Sequence, residues 1–219
     1  MNRSPARGER NGPALVVGLT GGIGTGKTTV AQLLGEMGAT VVDCDALGRQ
    51  VVEPGGRAYA GVVDRFGPEV VGADGRIDRP ALAAVVFGDT SALADLNRIT
   101  HPAIDAEIAA RIASAPDGSI VVLDMAVLVE TDLGKGQYEV VVVVEAPLDV
   151  RLRRLAARGI SETDARARIA SQADDSARRA VGDIFLRNDG GRDELADAVA
   201  ELWADLRRRA DERSDRVNP

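Results

Sequence analysis

A glycine-rich loop between an apolar segment and an amphipathic segment constrains the fold of this chain more than any other feature. The loop is Gly21-Gly22-Ile23-Gly24-Thr25-Gly26-Lys27-Thr28, which matches the pattern G-x-x-x-x-G-K-[ST]. Residues 15–19, before the loop, predict a buried strand, and the apolar spacing of residues 29–34 predicts a helix. Strand, loop and helix in this order are the context that a phosphate-binding loop requires.

Each part of the loop has a chemical use. Because Gly21, Gly24 and Gly26 carry no side chains, backbone N–H groups can curl around phosphate oxygens, and the helix N-terminus adds partial positive charge. Lys27, one of only two lysines among 27 basic residues, supplies a cation for the β- and γ-phosphates, and the Thr28 hydroxyl is a ligand for Mg²⁺. We therefore expect the loop, with Thr29, to bind ATP. The alternative is a glycine-rich turn that binds nothing.

Length, charge and cysteine content exclude several classes of protein. The 219 residues suit one domain with a small inserted subdomain. A net charge of −7 argues against nonspecific binding to nucleic acid, and no apolar run approaches the roughly 18 residues of a membrane span. Cys44 stands alone, so no intrachain disulfide can form. We expect a cytoplasmic protein without nucleic-acid or membrane partners, and we interpret residues 1–13 as a flexible leader.

Five short apolar segments alternate with helical patterns, which predicts a doubly wound α/β fold with a five-stranded parallel sheet in three α/β/α layers. The predicted strands are residues 15–19, Thr40–Asp43, Ile120–Asp124, Val140–Glu145 and Ile184–Arg187. The gap between the second and third strands is too long for one crossover helix. We interpret residues 46–115 as a helical insertion over the carboxyl ends of the strands, where ligands of such sheets bind. The charged tail, residues 205–219, is expected to fray.

Acidic residues end two of the predicted strands. Asp43 and Asp45 would point the same way on an extended segment, toward the mouth of the sheet. They could orient a hydroxyl acceptor or hold water around Mg²⁺; alternatively they are solvated, with Asp45 capping the next helix. Asp124 ends the third strand, the usual place for an aspartate that binds Mg²⁺ directly or through water. Glu130 faces either the same cleft or the surface.

Arginines are concentrated after the fourth strand. Arg154 and Arg158 are four residues apart, so on a helix they would project one above the other toward the phosphates. A guanidinium there would neutralise charge on the transferring phosphoryl group, a catalytic role for Arg154. The alternative is a solvated face of salt bridges.

The only histidine, His101, precedes Pro102, and the pair is expected to open a helix. Taken alone, a single histidine favours a capping or packing role. With one histidine and one cysteine in the chain, a metal site built from these two residue types is excluded.

The succession of motifs resembles the dephospho-coenzyme A kinase family over about residues 14–190. The matching stretches are residues 18–28, Asp43-Cys44-Asp45, Val51-Val52-Glu53-Pro54-Gly55, Phe66-Gly67, Asp74-Gly75-Arg76-Ile77-Asp78-Arg79, His101-Pro102, Arg168-Ile169-Ala170-Ser171-Gln172 and Asn188-Asp189-Gly190. Many kinases share the phosphate loop, but this succession is specific.

The resemblance implies Mg²⁺-dependent transfer of the ATP γ-phosphoryl group to the ribose 3′-hydroxyl of dephospho-coenzyme A. It also implies a P-loop core (residues 14–45, 116–150 and 181–204), a substrate-binding insertion (46–115) and a mobile lid (about 154–180). By similarity Asp45, Arg79 and His101 would face the acceptor, with Asp43 beside them. We expect a monomer or a weak homo-oligomer.

Two other functions stay open from the sequence. One is a P-loop kinase that acts on a nucleoside or a sugar alcohol. The other is a nucleotide switch or ATP-sensing module, which would exchange partners on binding. A guanine switch would carry an Asn-Lys-x-Asp motif, and neither Lys27 nor Lys135 stands in one.

Overall fold

The computed structural model describes residues 14–217, so the predicted leader lies outside the described residues. Its strands are β1 (Leu15–Thr20), β2 (Thr40–Asp43), β3 (Ile120–Asp124), β4 (Val140–Glu145) and β5 (Ile184–Arg187). They form one parallel sheet in the order β2-β3-β1-β4-β5. The predicted parallel sheet is confirmed, with β1 one residue longer than expected.

The central strands are apolar on both sides because helices cover both faces of the sheet. The helices are α1 (Lys27–Glu36), α2 (Cys44–Gln50), α3 (Tyr59–Phe66), α4 (Arg79–Val86), α5 (Thr90–Ala113), α6 (Leu148–Ala156), α7 (Glu162–Ala170), α8 (Asp175–Val181) and α9 (Arg192–Val217). One core cluster packs the sheet against α1 and α9, and the other packs it against α2 and α5. The three-layer α/β/α class is thereby confirmed.

The segment between β2 and β3 is helical, from α2 to α5, and α3, α4 and α5 enclose a small apolar core of their own. The expectation that His101 and Pro102 open a helix is wrong, because α5 begins at Thr90 under the side-chain cap of Asp89. Pro102 therefore lies inside α5, where its missing N–H leaves the carbonyl of Arg98 without the usual helical donor.

The charged segment from Asp205 is helical rather than frayed up to Val217, the last described residue. It continues α9, which buries Leu206 completely and leaves Ala210 only 3% exposed against the sheet. A stripe of apolar residues at helical spacing is enough to hold an otherwise charged helix on the core. None of the helices in the described part of the chain is long and apolar enough to cross a membrane.

Candidate functional site

The phosphate loop joins β1 to α1 at the carboxyl edge of the sheet. Gly24 and Gly26 adopt φ angles of 82° and 96°, a region that disfavours side chains. A Cβ on Gly26 would lie 2.2 Å from Nδ2 of Asn188, which donates to the carbonyl oxygen of Thr25 at 2.7 Å. Thr25 itself bonds back to the Gly22 carbonyl oxygen at 2.8 Å. The loop is therefore held in shape by its own residues and by Asn188.

Lys27 and Asp124 meet at the centre of this edge. Lys27 opens α1, Asp124 ends the neighbouring strand β3, and the Lys27 Nζ donates to Oδ1 of Asp124. Both side chains are only 13% exposed. A largely buried ammonium and carboxylate require each other, and a polyphosphate would give Lys27 a second anionic partner.

The predicted pair of aspartates is arranged differently from the expectation. The chain does not stay extended, because α2 begins at Cys44. Asp43 is the N-cap: its Oδ1 accepts from the Ala46 N–H at 2.8 Å, and its Oδ2 lies 3.7 Å from Arg49. Asp45 lies in the first turn of α2 instead. The capping role foreseen for Asp45 thus belongs to Asp43, which leaves the Asp45 carboxylate available for another role.

The surroundings of Asp45 alter its affinity for protons. Partial burial raises the pKa of Asp45 above the ordinary value of 3.8, Lys27 lowers it, and the carboxylates of Asp43 and Asp124 raise it. A carboxylate with a raised pKa beside Lys27 and Asp124 is a candidate proton acceptor. Burial also raises the pKa of the adjacent Cys44 thiol, to about 12, so this cysteine stays protonated.

Arg154 hydrogen-bonds the backbone of the loop and the residue that holds it. Its Nη1 lies within hydrogen-bonding distance of the carbonyl oxygens of Gly24 (3.4 Å), Thr25 (3.3 Å) and Asn188 (3.1 Å), and its Nη2 donates to Oδ1 of Asn188 at 3.0 Å. These acceptors fix the guanidinium against the backbone of the loop. Arg158 lies beyond the end of α6 rather than stacked on the same helix.

Arg154 and Arg158 line one cavity of about 510 Å³ beside the loop. Its other lining residues are Gly26, Thr29, Gln32, Ala157, Asn188, Gly190, Gly191, Arg192 and Leu195. Because the cavity touches both the loop and the segment after β5, it is placed to hold the nucleoside part of a nucleotide whose phosphates bind the loop.

Two side chains that the sequence did not mark as functional bind the loop at Ile23. Arg151, only 4% exposed, donates from Nε to the Ile23 carbonyl oxygen at 2.9 Å. Gln172 accepts from the Ile23 N–H through Oε1 at 2.7 Å. Gln172 belongs to one of the stretches that resemble the dephospho-coenzyme A kinase family, and nothing else in the sequence indicated a functional role for it. Arg151 stood among many arginines, and nothing in its spacing marked it.

The residues expected to face the acceptor are more exposed. Arg79 donates from Nη2 to the Arg49 carbonyl oxygen at 3.3 Å and lies 3.7 Å from Oε1 of Glu53. His101, on α5, is close enough to Asp132 for its charge to lower the pKa of that carboxyl, after the larger effects of Lys135. The structure thus connects Arg79 to the end of α2, the helix that carries Asp45.

Three comparisons with known proteins identify relatives. The dephospho-CoA kinase family model matches residues 15–194. A dephospho-CoA kinase of Thermobifida fusca is 47% identical over 196 residues, which cover 89% of this chain and 98% of the relative. One of Mycolicibacterium paratuberculosis is also 47% identical, over 86% of this chain but only 46% of its own length. The crystal structure of TT1252 from Thermus thermophilus has a TM-score of 0.74 at 33% identity, covering 89% and 98% of the two chains.

Proposed function

Because the chain belongs to the dephospho-CoA kinase family, we propose that it transfers the γ-phosphoryl group of ATP to the ribose 3′-hydroxyl of dephospho-coenzyme A, giving coenzyme A and ADP. The observation that carries this proposal is the buried Lys27–Asp124 pair at the phosphate loop, with Asp45 and its raised pKa beside it. Phosphoryl transfer needs a cation for the phosphates and an oriented acceptor more than a strong base.

ATP is placed with its phosphates on the loop and its nucleoside in the cavity lined by Arg154, Arg158 and Asn188. In this arrangement Lys27 stabilises charge on the β- and γ-phosphates. Arg154 holds the loop through its carbonyl oxygens and lines the cavity that takes the nucleoside. Asn188 keeps Gly26 and Thr25 in the conformation that binds phosphate.

The acceptor enters from the opposite side, under the helical insertion (46–115). Asp45 orients the 3′-hydroxyl and accepts its proton late in the transfer, while Arg79 and His101 bind the acceptor. The raised pKa of Asp45 makes its carboxylate a better proton acceptor than that of an ordinary aspartate. The lid (about 154–180) excludes water that would otherwise take the phosphoryl group.

Mg²⁺ fits the donors present at this edge. The Thr28 hydroxyl is exposed at the start of α1, and the Asp124 carboxylate keeps Oδ2 beyond the oxygen that Lys27 binds. Oxygen ligands suit this ion, which proteins usually hold through one or two side chains and the substrate phosphates. Among the described residues no cluster of three His, Cys, Asp or Glu side chains could hold a metal. When bound with ATP, Mg²⁺ would neutralise phosphate charge.

The test is Mg²⁺-dependent ADP release from ATP with dephospho-coenzyme A, with the product mass checked for one added phosphate. Adenosine and coenzyme A, whose 3′ position is already phosphorylated, serve as acceptor controls. We expect turnover with the dephospho compound alone. ATP binding without transfer to it would refute the acceptor assignment and redirect the search to nucleosides and sugar alcohols; if no acceptor were found, the sensing module would be favoured.

A further inference from the structure

Among the residues that the structure describes, Arg178 is the most deeply buried charged one, at 2% exposure, and it lies on α8 within the proposed lid. Its Nη2 donates to Oε1 of Glu130 at 3.0 Å, and its Nη1 donates to the Ala173 carbonyl oxygen. The same Oε1 of Glu130 accepts from the Ala173 N–H at 2.8 Å. Glu130, which follows β3, thus binds both the backbone and a buried side chain of the lid.

This cluster lies one residue away from a contact with the phosphate loop. Gln172, the neighbour of Ala173, accepts from the Ile23 N–H, and Ile23 also accepts from Arg151. A shift of the Ala173 backbone would therefore move Gln172 relative to the loop. Peptide planes are rigid, so fixing both the N–H and the carbonyl of Ala173 leaves little freedom to the residue before it.

We propose that Glu130 is a positioning residue for phosphoryl transfer. Together with Arg178 it fixes the backbone at Ala173, and so holds Gln172 on the Ile23 N–H and the phosphate loop in its binding conformation. This inference rests on the proposed function only where it concerns the rate of phosphoryl transfer. The expected effect on ATP binding does not depend on which acceptor is used.

A second ion pair on α8 separates this role from simple attachment of the lid. Arg179 binds Glu145 through two bonds, of 2.7 and 2.9 Å, and so also ties α8 to the sheet. If lid attachment were all that mattered, removing either carboxylate would have a similar effect. Glu145→Gln is therefore the matched control.

The experiment measures the ATP dissociation constant by calorimetry, and kcat and KM for both substrates, in Glu130→Ala, Glu130→Gln, Gln172→Ala, the Glu130→Gln/Gln172→Ala double variant and Glu145→Gln. We expect Glu130→Ala and Gln172→Ala each to weaken ATP binding by about tenfold, since each removes hydrogen bonds at a partly buried site. Glu130→Gln should recover part of the loss, because its amide oxygen can still accept from Ala173. Glu145→Gln should stay within about twofold of wild type.

The double variant decides between positioning and independent effects. If Glu130 acts through Gln172, the double variant binds ATP no more weakly than Gln172→Ala alone. The proposal would be overturned if the double variant lost ATP affinity by the product of the two single losses. It would also be overturned if Glu145→Gln lost as much affinity as Glu130→Gln. Should Glu130→Ala fail to fold because Arg178 is left unpaired, the Glu130→Gln and Gln172→Ala pair still gives the answer. Wild type that binds ATP but does not phosphorylate dephospho-coenzyme A would refute the proposed function and leave the binding comparison intact.

Discussion

The proposed nucleotide side of the site (the loop with Arg151, Arg154 and Asn188) and the proposed acceptor side (Asp43, Arg49, Glu53 and Arg79) are built differently. On the nucleotide side Asn188 and Arg151 are each 4% exposed and bind the loop at 2.7 and 2.9 Å. On the acceptor side the Arg49–Asp43 and Arg79–Glu53 pairs are separated by 3.7 Å, with side chains 37–56% exposed.

From this difference we expect the nucleotide side to be preorganised and the acceptor side to be ordered by its ligand. Buried, hydrogen-bonded groups lose little freedom when phosphate arrives, whereas exposed side chains must be ordered by the acceptor. Exposed ion pairs of this kind contribute about 0–1 kcal/mol to stability, so they are free to exchange partners. Substitutions on the two sides should therefore affect different kinetic constants.

The largest effect is expected from Lys27→Ala on the nucleotide side. The substitution removes the cation for the transferring group and leaves the Asp124 carboxylate, only 13% exposed, without its partner. We expect kcat to fall by about 10³–10⁵-fold, the range found where a cation on the transferring phosphoryl group is supplied or withheld. Steady-state assays would measure it.

The second lysine is the natural control. Lys135 is paired with Asp132 at the surface, with side chains 74% and 85% exposed, and Lys135→Ala should leave kcat within about twofold. A Lys27→Ala variant that keeps a tenth or more of wild-type kcat would mean that the buried pair is structural and that another group carries the charge.

A smaller, differently directed effect is expected from Arg79→Ala on the acceptor side. Loss of a guanidinium that binds an anionic substrate costs about 1.5–3 kcal/mol, so KM for dephospho-coenzyme A should rise by roughly 10–100-fold. KM for ATP should change by less than about twofold, since Arg79 contacts the end of α2 rather than the loop. Arg76 lies 3.4 Å from the same Glu53 carboxylate, so Arg76→Ala is the matched control. An equal rise in the KM values for ATP and dephospho-coenzyme A would contradict the assignment of Arg79 to a separate acceptor side.

The sequence predicts the nucleotide side well where the signal is local. The loop, its flanking strand and helix, and the aspartate ending β3 all follow from patterns a few residues long. The side chains that hold the loop in shape do not follow from such local patterns. Gln172 lies 149 residues from Ile23, and Asn188 lies 163 residues from Thr25. Only the folded sheet brings such pairs together, and a polar residue that binds a distant backbone group leaves no periodic trace.

The Asp43-Cys44-Asp45 segment shows that sequence-based prediction can also be wrong about local structure. The prediction assumed that the chain stays extended through Asp45, but the Asp43 carboxylate accepts from the Ala46 N–H and α2 begins already at Cys44. Both Asp43 and Asp45 are residue types that cap helices, and the sequence alone does not decide which of them does. In the structure Asp43 is the cap, so the carboxylate of Asp45 is left for the acceptor role that the resemblance implies.

The smallest effect is expected in the thermal stability of Asp45→Asn without nucleotide or Mg²⁺. The folded-state pKa of Asp45 is raised, so its contribution to stability is present below the ordinary pKa and is lost as pH rises through the raised one. At pH values above the raised pKa the ionised carboxylate therefore disfavours the folded state, and removing its charge should raise the Tm. Because Asp45 is still accessible to solvent, we expect at most about 2 °C.

The difference should shrink as the pH is lowered through the raised pKa toward the ordinary value of 3.8, which melting curves at several pH values would follow. Asp43→Ala is the contrasting neighbour: it removes the cap of α2, which is worth about 0.5–2 kcal/mol, and should lower the Tm at every pH in this range. Opposite signs for residues two apart are what a reactive carboxylate beside a structural one requires. A lower Tm in both variants would mean that Asp45 stabilises α2. There would then be no physical reason to assign it as the group that accepts the proton of the 3′-hydroxyl.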